Sequence, residues 1–164
     1  MPARVAPRTP PRTRGTGTTP TDRIKAQALA LGFDAVGIAG IEPLEAQAHF
    51  AAWIDAGRHG TMGWLAKPRS RERRADPARI LPGIASVVCV ALCHEPARDP
   101  TRDRRLGRIA RYAVGEDYHR IMHDQLGALQ DFIEHEALPG SRALWYSDTG
   151  AILERGFADR KSVV

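Results

Sequence analysis

The nine residues from Ile84 to Leu92, IASVVCVAL, carry no charge and a single hydroxyl. Ile84 and three valines are β-branched, and nothing in the run alternates between apolar and polar, so it predicts a strand covered on both faces. Such a strand demands a layered fold, with other elements packed above and below it. Leu81-Pro82-Gly83 is the turn that feeds it.

The neighbouring segments supply those layers. Thr21-Asp22 can cap a helix that runs to about Leu31, with Ile24, Ala28 and Leu31 on one side and Gly32 as its stop. Phe33 to Ala39 is a short apolar strand. Pro43 opens a second helix, where Leu44, Ala48, Ala51 and Ile54 recur at helical spacing and Gly57 closes it. A longer helix carries the stripe Met122, Leu126, Leu129, Ile133 and Ala137, weakened modestly by Gly127 and stopped by Pro139-Gly140. Ala143 to Ser147, ALWYS, is a third strand candidate, and a further helix starts near Ile152. The order predicts an α/β or α+β layered domain. With 164 residues and 43% hydrophobic content, the chain has material for one core.

Several classes of function lack support. No window approaches the length of a membrane-spanning helix, so no membrane is expected as partner. The opening MPARVAPRTPPRTRGTGTTP lacks the apolar stretch of a secretory signal and is expected to be a disordered basic leader over residues 1–20. Neither GxGxxG nor GxxxxGK[ST] occurs, which leaves dinucleotide and P-loop readings without a motif. Cys89 and Cys93 face the same way if their segment is all strand. They are expected as buried free thiols, in keeping with a reduced, cytoplasmic setting, with a disulfide or metal pair as the alternative.

The formal net charge is +5. Arg4, Arg8, Arg12 and Arg14 account for much of it. Arg69, Arg71, Arg73, Arg74 and Arg79 form a second group in PRSRERRADPAR, expected as a solvated loop or as a phosphate-contacting patch. Just before it, GRHGTMGWLAKP has the glycines for close turns. Trp64 there is expected in the core, with a cofactor or substrate lid as the alternative.

Three places have the chemistry of a site. Asp148 follows ALWYS at the end of an apolar run, where a carboxylate serves either as helix cap and turn former or as a catalytic acid. As a proton donor it would need a raised pKa, which apolar walls such as Trp145 or a cofactor face would supply. Glu154 and Arg155 are adjacent and do not share a helical face, so one can pair inward while the other stays solvated. ARYAVGEDYHR gathers Arg111, Tyr112, Asp117, Tyr118, His119 and Arg120 about one glycine. His119 and His123 are four apart, but HRIMH lacks the HExxH arrangement, so packed or solvated histidines are expected rather than a metal site.

Five blocks taken in order resemble the epoxyqueuosine reductases: LGFDAVGIA at 31–39, RHGTMGWLA at 58–66, LPGIASVVCVAL at 81–92, RYAVGEDYH at 111–119 and SDTGAILER at 147–155. The resemblance covers roughly residues 22–159. It implies a cobalamin-binding N-terminal domain, here incomplete over residues 21–164, with a remotely nitroreductase-like layered fold. The family's ferredoxin-like region with two 4Fe–4S clusters is expected to be absent from this chain. The implied reaction reduces epoxyqueuosine to queuosine in tRNA, with an external electron donor, in the cytoplasm, by a monomer.

The family's proton-donating aspartate falls on Asp148. The RYA-G-DYH block places Arg111, Tyr112, Gly115, Asp117, Tyr118 and His119 along a cobalamin or nucleoside pocket, and Lys67 falls where relatives carry a basic residue near the cofactor. Ala151 stands where relatives commonly have proline. The text ends at DRKSVV without cluster cysteines, so the chain is expected to be a fragment that does not turn over alone. Rival expectations are a noncatalytic RNA-binding module and a flavin-dependent oxidoreductase of the related fold.

Overall fold

A computed structural model describes residues 18–93, 103, 105–107, 109–113 and 116–161. The expected leader up to residue 17, His94, most of the polar loop after it, Gly115 and the side chain of Arg111 lie outside the described residues.

Helix α1 spans Pro20–Ala30. Its cap is Thr19, earlier than expected: the Thr19 hydroxyl accepts from the Asp22 N–H at 3.2 Å, and Asp22 accepts from the Thr19 N–H at 3.2 Å. Pro20 then occupies the first helical position, where its missing N–H costs nothing. Gly32, at φ +97°, ends the helix. Its N–H donates to Leu29 O, and that of Phe33 to Ala28 O, so the chain is turned back while Phe33 is carried into the core.

Strand β1, Ala35–Gly40, pairs antiparallel with β2, Ser86–Ala91, in a register that sets Val36 opposite Val90 and Ile38 opposite Val88. These four side chains share one face and pack on the larger buried cluster, formed by Ile24, Ala28, Phe33, Leu126, Leu129 and Ala137. Ala39, Val87 and Cys89 face the other way, toward Leu44 and Phe157. Helices therefore cover both faces of a two-stranded ribbon, and the antiparallel pairing makes the domain α+β. The expected layering of β2 holds, but its residues are half-buried rather than enclosed, because among the described residues β2 has one strand neighbour.

Helix α2 spans Glu45–Asp55 and α4 Tyr118–Phe132, the latter passing into a π-helical turn at Ile133–Ala137. The predicted α4 stripe faces the core: Leu126, Leu129 and Ala137 are buried, with Met122 and Ile133 packed beside them. The α2 stripe is narrower than expected, since Leu44 and Ile54 are buried but Ala48 is exposed.

Two segments depart from expectation. The arginine-rich stretch is a helix, α3, Pro68–Ala75, not a loop. None of its residues is buried. It is held by polar clamps: the Gln47 amide donates to Ala75 O at 2.8 Å, and Arg71 pairs with Asp55 at 2.7 Å. ALWYS forms no ladder. The Ala143 N–H donates instead to the Glu134 carboxylate at 2.6 Å, and Trp145 packs against the helix layer. The final helix α5, Glu154–Asp159, is short and buries Phe157 and Ala158. Among the described residues no helix is long and apolar enough to cross a membrane.

Candidate active site

The segment between Trp145 and α5 is folded tightly around Asp148. Ser147 is buried, with its hydroxyl on the Met122 sulfur at 3.5 Å. The Thr149 N–H closes back on Ser147 O at 2.7 Å, leaving Asp148 at the apex with φ +58°. A non-glycine residue held there costs about 1–3 kcal/mol, a price tolerated where the surroundings over-determine the geometry. Gly150 is part of that constraint: it is buried, and a Cβ on it would lie 2.5 Å from Tyr146 Cγ.

Asp148 is therefore no helix cap. Its carboxylate accepts a short hydrogen bond from the Tyr118 hydroxyl, which α4 delivers from its first turn. That bond is the main reason Tyr118 is pushed up to about 12, followed by desolvation and the nearby Asp148 charge. Tyr118 thus serves as a donor and stays protonated. The turn beneath it is capped by Asp117, whose Oδ1 accepts from the His119 N–H at 3.0 Å and meets His119 Nδ1 at 2.7 Å. These contacts with His119 hold Asp117 below the usual carboxylate range. The His119 ring stacks on Tyr118 at 4.2 Å. His123 turns its ring edge to Trp145 at 5.0 Å, so the two histidines do not converge. Among the described residues no group of three metal-ligating side chains occurs.

Glu154, at the start of α5, is the second acid of this region. Partial desolvation of its carboxyl raises its pKa, the Asp148 charge raises it further, and Arg74 opposes both. Arg74, lowered mainly by its own desolvation, sits over the rings of Phe50 at 5.5 Å and Trp64 at 5.7 Å and donates to Ser70 Oγ at 2.5 Å. Arg155 is exposed. Cys89 is raised to about 11, chiefly by burial and then by Glu154, so its thiol is unreactive near neutral pH. Cys93 falls beyond β2 and is exposed, contrary to expectation, with its N–H on Asp34 at 2.5 Å.

Beside the Asp148 turn lies an open groove of about 230 Å³, walled by α3 on one side and Thr149, Gly150 and Ala151 on the other. Lys67, Arg69, Ser70, Arg73 and Arg74 line it, together with Trp64. Trp64 is 55% exposed rather than in the core, because Leu65 takes the buried position of that turn. The structure thus joins Asp148, Tyr118 and His119 in one contact network, while Lys67 belongs to the neighbouring groove. Tyr112 stands exposed on a short 3-10 turn at Arg111–Ala113. Sequence reasoning had not paired Tyr118 with Asp148, thirty residues away; the Tyr at the first position after a helix-capping Asp was the available signal.

Residues 74–149 match the family described as "Epoxyqueuosine reductase QueG, DUF1730". The chain is 40% identical over 139 residues to an epoxyqueuosine reductase of Gloeobacter violaceus, covering 84% of this chain and 42% of that protein. The corresponding enzyme of Escherichia coli is 33% identical over 142 residues, covering 84% and 37%. Among solved structures, an epoxyqueuosine reductase with a tRNA-Tyr epoxyqueuosine-modified stem loop superposes with a TM-score of 0.67 at 26% identity, over 85% of this chain and 37% of that one. A Bacillus subtilis epoxyqueuosine reductase shares the fold, with a TM-score of 0.61 at 24% identity, over 87% and 37%. The chain spans about two-fifths of the length of the relatives it matches.

Proposed function

This chain belongs to the epoxyqueuosine reductase family, and from that premise we propose that it forms the acid-bearing part of an enzyme that reduces epoxyqueuosine to queuosine in tRNA. Removing the epoxide oxygen takes up two electrons and two protons and releases water. The observation that carries the reading is Asp148 itself: an exposed carboxyl at a constrained turn, one oxygen held by Tyr118 and the rest open to a ligand. In this reading Asp148 delivers a proton to the epoxide oxygen as the C–O bond breaks, and Tyr118 keeps the carboxyl aimed.

The residues present fit one edge of cobalamin. Tyr112 and the stacked Tyr118–His119 pair offer an open aromatic and polar shelf to its ring and amides, and Arg111 belongs to the same turn. When bound, cobalamin supplies the reducing electrons. The residues do not fit a 4Fe–4S cluster, which takes four thiolates where the whole chain has two cysteines, so no step is assigned to one here. The two-faced layering supports the remote nitroreductase-like assignment. We assign tRNA and an external electron donor as partners, a monomeric state, and the cytoplasm as the compartment where modified tRNA is met.

The test is Asp148→Asn in a full-length protein carrying this stretch, followed by corrinoid absorbance and queuosine formation. Cobalamin should be retained and turnover should fall about 10²–10⁴-fold, the usual worth of a positioned acid. Normal turnover would remove Asp148 from the mechanism.

A further inference from the structure

We propose that Arg160 is a positioning residue for Asp148: its guanidinium ties the far end of α5 to the loop between β1 and α2, and so fixes the segment that carries the carboxyl. The role of Asp148 as acid rests on the functional reading above; the tether itself rests on geometry.

Residues 147–160 are held at two ends. At one, α4 presents Tyr118 and Met122, a helical turn apart on one face, to Asp148 and Ser147. At the other, α5 has six residues, far below the length at which a helix is stable by itself, so its place is set by what it docks on. Phe157 enters the core, and Gly156 lets the helix backbone close on the start of α2: a Cβ there would lie 3.0 Å from Leu44 Cδ1 and 3.5 Å from Ala46 Cβ. Apolar contacts are non-directional, so they fix the depth of α5 better than its orientation.

Arg160 supplies the direction. Its Nη1 donates to Glu42 O at 3.0 Å and to Glu42 Oε2 at 2.9 Å, and its Nη2 donates to Pro43 O at 2.7 Å. Two successive backbone carbonyls on one planar guanidinium set both distance and angle. The carbonyls carry the tether, because the Glu42 side chain is 73% exposed, where an ion pair is worth little. The tether reaches Asp148 through strain. A residue at φ +58° persists only while its surroundings over-determine it. With α5 released, the turn relaxes and the carboxyl leaves the Tyr118 hydroxyl.

Arg23 is the counterpart on the other face of the ribbon. Its Nη1 donates to Glu136 O at 3.0 Å and its guanidinium sits 5.5 Å over the Phe132 ring, at the opposite end of α4 from Tyr118.

The test compares Arg160→Ala, Arg160→Lys, Glu42→Gln and Arg23→Ala in the whole chain. Tyr118 is titrated by ultraviolet difference spectra, with Tyr118→Phe identifying its share, and amide hydrogen exchange is followed beside it. Arg160→Ala should move Tyr118 from about 12 toward its ordinary 10.0 and release residues 150–158 while α1 stays protected. Arg160→Lys keeps the charge but cannot span both carbonyls. It should show the same changes at smaller amplitude, even if Arg160→Ala loses its fold by circular dichroism. Glu42→Gln keeps the carbonyls and should titrate as wild type does, and Arg23→Ala should leave Tyr118 unmoved. In a full-length protein carrying this stretch, Arg160→Ala should lower kcat about 10-fold at unchanged KM, as remote misplacement of a reacting group does.

An unmoved Tyr118 in both Arg160 variants, an equal shift in Arg23→Ala, or a raised KM at unchanged kcat would overturn the proposal. So would a Glu42→Gln variant as impaired as Arg160→Ala, which would make the contact an ion pair rather than a carbonyl tether. The Tyr118 titration needs no turnover. Normal turnover in Asp148→Asn would remove the acid, an unmoved Tyr118 would remove the tether, and either claim can fail alone.

Discussion

On one face of the β-ribbon, Ile24, Ala28, Phe33, Leu126, Leu129 and Ala137 make a buried cluster drawn from α1 and the turn after it, α4 and the π-helical turn, whereas on the other face the buried cluster is Ala39, Leu44 and Phe157. The first face is built by two long helices with their own apolar periodicity. The second depends on one large aromatic side chain from a helix of six residues. The chain that leads to that helix carries Asp148 and Gly150, and Glu154 opens it. The candidate site therefore bridges the two layers: Ser147 and Asp148 are held by Met122 and Tyr118 of α4, while the segment from Gly150 into α5 rests on the thinner layer, where local opening is expected at lower free energy.

The largest test of this contrast pairs two core truncations. Phe157→Ala should cost about 3–5 kcal/mol and Leu129→Ala about 2–5 kcal/mol, both measured by urea denaturation. Their consequences should differ in place. Hydrogen exchange should show Phe157→Ala releasing residues 150–158 while α1 and α4 stay protected, and Leu129→Ala releasing both faces together. Uniform loss of protection in Phe157→Ala would mean that the two layers are one cooperative unit.

A smaller effect sharpens the link between the thin layer and the site. Gly150→Ala places a Cβ 2.5 Å from Tyr146 Cγ, a displacement that overpacking data put at about 1–3 kcal/mol. Moving the turn should also loosen the Tyr118–Asp148 bond. Tyr118, pushed up to about 12 in the native chain, should then titrate closer to its ordinary 10.0, as followed by ultraviolet difference spectra. A stable variant with an unshifted Tyr118 would show that Gly150 does not position Asp148.

The smallest effects are in the pH dependence, and the two layers should differ in sign. Glu134, behind the thick layer, is lowered first by the hydrogen bond from Ala143 N–H. Its stabilisation is present above the ordinary glutamate value of 4.5 and is lost as pH falls through its lowered one. Glu154 is raised by desolvation, so its contribution is present below 4.5 and lost as pH rises through the raised value. In thermal melts, Glu134→Gln should flatten the acid decline, and Glu154→Gln should gain on wild type as pH rises. The same sign in both variants would contradict the assignment.

Much of the fold was legible because it is encoded locally. The α4 stripe, the two paired strands and the stops at Gly32 and Gly57 follow from periodicity and from backbone freedom, both properties of short windows. ALWYS was misjudged for a nonlocal reason. Its residues favour extended chain, but a strand exists only when another edge accepts its bonds, and Glu134 takes the Ala143 N–H first. The arginine stretch was misjudged in the opposite sense. Pro68 at the first helical position and basic residues in the last turn suit a helix, yet its lack of an apolar face hid it.

By itself, the sequence determined where helices and turns can form, which side chains need burial, and that Asp148 stands in a small-residue turn. The tertiary structure alone decided that Tyr118 reaches Asp148, that Trp64 is exposed, and that α3 sets Arg69, Arg73 and Arg74 along a groove beside the same turn. The reason is physical: propensity and periodicity act within a few residues, whereas hydrogen-bond partners, exposure and electric fields depend on which distant segments packing brings together.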